Sequence, residues 1–216
     1  MCGRYSVLTE DEIIEVRSII RELSLRLARD ELESYEADRQ EIAPTNRAPV
    51  ITGDGDALAF ELGQFGFERW DGKGVIINAR AETAHEKSMF RNRLNKGRCI
   101  IPANGYYEWK LPVEGQKQKV KHLIKDKHGN LLFMAGLYKD GKNGREFVVI
   151  TKEAYGGVKD IHGRMPVMLR TDQLEAWLSG VMPVEALTSL DFECSGTPCG
   201  EDEKPDDGDN AQTRLF

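Results

Sequence analysis

The apolar residues of this chain follow two successive patterns. Ile13, Val16, Ile19, Ile20, Leu23 and Leu27 recur at three- and four-residue intervals, the spacing that gathers a stripe on one side of an α-helix. Ahead of the stripe, Thr9-Glu10-Asp11-Glu12 has the form of a capping box, in which the Thr9 hydroxyl and the Glu12 carboxylate each take an orphan amide at a helix start. The spacing predicts a helical segment over residues 10 to about 38, as one long helix or two broken ones. Pro44 and Pro49 end that pattern. Short β-type runs follow at Val50–Thr52, Leu58–Leu62, Val75–Ile77, Cys99–Pro102, Tyr106–Trp109, Lys119–Ile124, Leu131–Tyr138 and Phe147–Thr151. Turn signals such as Asp71-Gly72, Lys127-His128-Gly129-Asn130 and Asp140-Gly141-Lys142-Asn143-Gly144 separate them. Connections this short favour antiparallel pairing. Thr171–Leu178 reads as a late helix, Val184–Leu190 as another, and no internal repeat is present.

Composition narrows the class. With 216 residues, 40% of them hydrophobic, the chain can bury one substantial core, and a single domain over 1–199 is expected. Residues 200–216 are acidic and poor in apolar side chains, the signature of a disordered tail. No apolar run approaches a membrane span, and Glu10, Asp11 and Glu12 stand where a signal peptide would be apolar, so a cytoplasmic protein is expected. Cys2, Cys99, Cys194 and Cys199 are too few and too scattered for a disulfide framework, and no histidine pair accompanies them, so neither a metal nor another cofactor is expected. The net charge of −6 is unevenly distributed: residues 1–41 carry −5 and 200–216 carry −4, which leaves a mildly basic +3 body. Such a body is compatible with nucleic acid without requiring it.

Five places carry candidate chemistry. Cys2 follows the initiator methionine, and a small second residue permits removal of Met1, which would put an α-amine and a thiol on one residue. That pair can capture an aldehyde as an imine and then close a thiazolidine ring; the plain alternative is a frayed terminus. Asn78-Ala79-Arg80-Ala81-Glu82-Thr83 places polar groups at the end of an apolar strand, where sites are often built, although on its own the segment reads more simply as a turn capped by Asn78 with Arg80 and Glu82 as a surface pair. Glu108 lies in the aromatic run Tyr106-Tyr107-Glu108-Trp109 and, if buried, would have a raised pKa suited to proton transfer; the wet face of an edge strand is the other reading. His162 is flanked by Gly163, Arg164 and Pro166 and is either a loop-held proton shuttle or a structural histidine. Arg4 with Phe65, Phe67 and Trp70 supplies the cation and rings used by single-strand binders, though rings are more often core.

Taken in order, Cys2-Gly3-Arg4, Pro44-Thr45-Asn46, Asn78 through Thr83, Pro102 through Trp109 and His162 through Pro166 resemble the segments of the SOS response-associated peptidase (SRAP) family. The resemblance implies an α+β fold, a mainly antiparallel, bifurcated and barrel-like sheet surrounded by helices. It implies a sensor of abasic sites in single-stranded DNA that crosslinks to the lesion through Cys2, acting as a monomer that associates with the nucleoid when on DNA. Cys2 would be the nucleophile, His162 and Glu108 would move protons, and Asn78 would orient Cys2 and the sugar. Arg4 and Arg80 would hold phosphates, and Thr151 lies at another expected DNA contact. Asn46, Phe65, Trp70 and Arg164 complete the expected DNA-contacting set. Where many relatives have Trp-Gly-Leu this chain has Phe65-Gly66-Phe67, so the stacking group beside the lesion would be built differently. Two other readings stay open: a thiol peptidase using the same Cys2, His162, Asn78 and Glu108, or a non-catalytic single-strand binder.

Overall fold

A computed structural model describes residues 2–23, 27–30, 41–54, 57–112 and 118–199. The chain runs through β1 (Arg4–Ser6), α1 (Glu10–Leu23), β2 (Leu27–Asp30), β3 (Glu41–Ile42), β4 (Arg47–Asp54) and β5 (Ala57–Phe65). The short strands β6 (Phe67–Glu68), β7 (Val75–Ile76) and β8 (Asn78–Arg80) lead into α2 (Ser88–Lys96). Five longer strands follow: β9 (Arg98–Ala103), β10 (Tyr106–Lys110), β11 (Val120–Asp126), β12 (Leu132–Gly141) and β13 (Gly144–Glu153). The chain then passes through α3 (Gly156–Lys159), β14 (Arg164–Pro166), β15 (Met168–Leu169), α4 (Leu174–Leu178) and β16 (Cys194–Pro198).

The fold is α+β and mostly strand. One sheet has five strands in the order β16-β11-β10-β1-β3. A second has nine, and within it β5, β4, β9, β12 and β13 form a closed circuit because β13 also pairs with β5; β6 and β7 make a two-stranded third. Closure of this kind removes exposed sheet edges. Most pairings are antiparallel, as the short turns predict, but β13–β5, β13–β8 and β2–β5 are parallel.

Continuous apolar runs such as Cys99-Ile100-Ile101 and Phe147-Val148-Val149-Ile150 arise because the long strands are buried on both faces. Alternation divides them between two cores. Cys99, Ile101, Met134, Phe147 and Val149 join Tyr5, Tyr106 and Ile124 of the five-stranded sheet, whereas Ile100, Phe133, Val148 and Ile150 pack under the helices with Ile13, Val16, Ile20 and Trp177. Cys2 lies in the first of these cores.

The capping box forms as expected: Thr9 N–H donates to Glu12 Oε2 at 2.8 Å, and Glu12 N–H donates to Thr9 Oγ1 at 3.3 Å. The predicted helix is nevertheless too long. α1 ends at Leu23, and Leu27 opens β2, which becomes an edge strand by pairing with β5; tertiary pairing overrides the helical spacing of that one leucine. Residues 31–38 of the predicted helix, the 200–216 tail and Met1 lie outside the described residues. Among the described residues no helix is long and apolar enough to cross a membrane, no group of three or more His, Cys, Asp or Glu could hold a metal ion, and no cysteine is in a disulfide.

Candidate active site around Cys2

Cys2 lies two residues before β1, the strand that joins β10 to β3 in the five-stranded sheet. It is fully buried. The Asn78 side chain reaches it from the other sheet, with Nδ2 donating to the Cys2 carbonyl at 3.1 Å. Asn78 is held in place because β8 pairs in parallel with β13, opposite Val149. One amide therefore ties the start of the chain to the closed sheet and restricts how residue 2 can turn.

Glu108 stands on β10, two residues after Tyr106 and on the same buried face. Only 3% of it is exposed, and this burial raises its carboxyl from the ordinary 4.5 to about 7. Burial, followed by the charge of nearby Glu108, pushes the Cys2 thiol well above its ordinary range, so it is held protonated. His162 Nδ1 lies 3.9 Å from Glu108 Oε1. Burial shifts this imidazole downward. With the carboxyl raised and the imidazole lowered, the contact near neutrality joins two weakly charged groups, and it is not a fixed salt bridge.

The His162 loop is rigidly tied. His162 N–H donates to the Val158 carbonyl at 2.9 Å, and Ala154 N–H to the Gly163 carbonyl at 3.0 Å. His162 Nδ1 lies 3.0 Å from the Arg164 N–H and 3.1 Å from the Arg164 carbonyl, so its tautomer decides whether it accepts from the first or donates to the second. The Arg164 guanidinium grips both oxygens of Glu82, at 2.7 and 2.8 Å, and also donates to the Thr151 carbonyl at 2.7 Å. Partial burial pushes the Glu82 carboxyl up, but the Arg164 bonds and backbone donors outweigh it and hold the group below its usual value.

The structure thus brings Cys2, Asn78, Glu108 and His162 together, whereas several expected DNA contacts lie elsewhere. Phe65 is core: it is fully buried, edge-on to Tyr5 with ring centroids 5.6 Å apart and stacked on Phe147 at 5.4 Å. Thr151 is also fully buried, and its carbonyl accepts from Ala81 and Arg164, so it supports the site from beneath. Arg164 is committed to Glu82, and Glu82 does not form the surface pair with Arg80 that its sequence neighbourhood allows. Asn46 closes its own turn by accepting from Ala43 N–H at 3.0 Å, beside Thr45 at φ 73°. Arg80 is exposed, and Trp70, 93% exposed, projects from the turn between β6 and β7.

Arg4 lies on the outer face of the five-stranded sheet, paired with Glu41 at 3.3 Å and 5.8 Å from the Trp109 ring. Lys121 lies 4.5 Å from the Tyr107 ring and 5.8 Å from that of Trp109. This outer cluster of two cations and two rings was not anticipated from the sequence. The signal was available in the cross-strand partners of Tyr107 and Trp109, but it requires the β10–β11 register that pairs Trp109 with Lys121.

Fold and site define an α+β protein with a cysteine-centred site spanning two sheets. The chain belongs to the SOS response associated peptidase (SRAP) family, whose profile matches residues 1–195. It is 34% identical over 198 residues to the abasic site processing protein YoqW of Bacillus subtilis, covering 83% of this chain and 80% of that one. The abasic site processing protein YedK of Escherichia coli is 30% identical over 189 residues, covering 82% and 79%. A crystal structure of a Bacteroides thetaiotaomicron protein shares the fold with a TM-score of 0.72 at 22% identity, over 100% of both chains.

Proposed function

We propose that this protein processes abasic sites in single-stranded DNA, forming a covalent thiazolidine link through Cys2 once Met1 is removed. The observation that carries the reading is the placement of a neutral buried thiol beside a carboxyl raised to about 7, with the Cys2 carbonyl held by Asn78. The names of the relatives supply the class of substrate. The α-amine of Cys2 attacks the ring-opened sugar aldehyde, and loss of water leaves an imine. The sulfur then adds to the imine carbon, its proton passing to Glu108 and on to the nitrogen, which closes the five-membered ring. His162 and Glu108 exchange the protons that this sequence and its reversal require.

A thiol peptidase is less well supported by the same groups. It would use a cysteine shifted down and a histidine shifted up as an ion pair, whereas here burial raises the thiol and lowers the imidazole. Arg80 and Trp70 are exposed, and Arg4 lies with Lys121, Tyr107 and Trp109 on one sheet face, a combination suited to phosphates and unstacked bases. The test is incubation with an oligonucleotide bearing one abasic site, followed by denaturing electrophoresis. A chain with a free Cys2 amine gives a persistent adduct, and a chain extended by one residue before Cys2 gives none. Equal adduct from both chains would overturn the proposal.

A further inference from the structure

The buried face of the five-stranded sheet carries a polar atom that this chemistry leaves unused. Tyr106 pairs across to Tyr5 of β1 and stands two residues before Glu108, so strand alternation places its ring on the face that carries the carboxyl. It is fully buried and packs in the same core as Cys2. Its hydroxyl has no hydrogen-bond partner among the described residues, an expensive condition for a buried O–H group. Phenylalanine would fill the same space without that cost. Cys2, Glu108, Cys194 and Tyr155 all lie close enough for their charges to act on this hydroxyl. Tyr155 donates to the Phe192 carbonyl at 2.9 Å, and burial pushes the Cys194 thiol up to about 12. Asn78 Oδ1, on the amide that grips Cys2, is likewise buried without a partner. Two orphaned polar atoms, one in the core that holds Cys2 and one on the amide that binds its carbonyl, mark a place prepared for further hydrogen bonding.

We infer that the Tyr106 hydroxyl is a positioning hydrogen-bond donor to the Cys2 sulfur, engaged as that sulfur loses its proton and closes onto the imine carbon. The inference rests on the reading of Cys2 as the nucleophile. No proton leaves the phenol. The thiol proton passes to the Glu108 carboxylate, the sulfur–carbon bond forms, the π pair of the imine moves to nitrogen, and nitrogen takes the proton back from Glu108. The hydroxyl stabilises the negative charge on sulfur while that charge exists, in a site where water cannot do so.

The test compares the wild type with Tyr106→Phe on an oligonucleotide bearing one abasic site, sampling the reaction with and without borohydride, which captures an imine but is not needed to preserve a closed ring. In the variant, imine forms at the wild-type rate and ring closure slows by about 10- to 100-fold, the range for a hydrogen bond to a charged group. Borohydride-dependent adduct therefore accumulates, while the melting temperature is unchanged or higher because an unsatisfied buried hydroxyl has been removed. Ring closure at the wild-type rate, or a lower melting temperature, would overturn the inference and make the hydroxyl structural. If the wild type gives no adduct even with borohydride, the Cys2 reading itself fails and the inference falls with it. A normal wild type with an unaltered variant sinks the inference alone.

Discussion

Glu108→Gln replaces the buried carboxyl with an amide of the same shape, and stability and activity should then move in opposite directions. The carboxyl ionises near 4.5 in an unfolded chain and near 7 in the folded one. Between these values the unfolded state gives up its proton first, so wild-type stability is fully present below about 4.5, falls as pH rises, and levels off above about 7. At about 1.4 kcal/mol for each tenfold change in proton affinity, the plateau loss is about 3 kcal/mol. Glutamine carries no such loss. Urea denaturation should give nearly equal stabilities for the two proteins at pH 4, with the variant ahead by about 3 kcal/mol at pH 8. For a chain of this size that is on the order of 6–12 °C in melting temperature. Adduct formation at pH 8 should meanwhile fall by about 100- to 10,000-fold, the usual worth of a positioned proton acceptor. A variant less stable than the wild type at pH 8, or a stability difference independent of pH, would refute the placement of Glu108 as a desolvated base.

The other predictions separate core, support and surface. Phe65→Ala should destabilise by about 3–5 kcal/mol in denaturant titration, because Phe65 is wedged between Tyr5 and Phe147; a change under about 0.5 kcal/mol would return it to the surface. Glu82→Ala removes both carboxylate bonds that hold Arg164, so the His162 loop should loosen. Single-stranded DNA affinity should persist while the crosslinking rate falls, and an unchanged rate would show that this pair does not position His162. Trp70→Ala should leave stability within about 0.5 kcal/mol but weaken single-stranded DNA binding by about 1–3 kcal/mol at fixed salt, measured by fluorescence anisotropy. Unchanged affinity would remove Trp70 from the interface.

What could be read from the sequence follows from what each signal depends on. The strands around Ile100, Met134 and Val149 were visible because burial on both faces makes them continuously apolar, and the start of α1 was visible because its capping box is local. α2 was missed: Phe90 and Leu94 are its only buried residues, and no side chain caps its start. The closing pair β13–β5 and the pair β13–β8 were hidden because they are parallel and join distant segments. Cys2, Asn78, Glu108 and His162 could be nominated from their segments, but not their division of labour. Phe65 and Trp70 look alike as aromatics in a sequence, and only the fold tells them apart, setting one on the buried side of β5 and the other in the exposed turn between β6 and β7. Glu82 likewise has an arginine two residues away, yet it pairs with Arg164, 82 positions along the chain.

The central claim is that Cys2, freed of Met1, condenses with the abasic aldehyde. Intact-mass spectrometry of the adduct tests it most directly. The expected mass is that of the oligonucleotide plus the protein lacking its first residue, less one water, with the linkage mapped to Cys2. An adduct that retains Met1, or one mapped to any other residue, would contradict it.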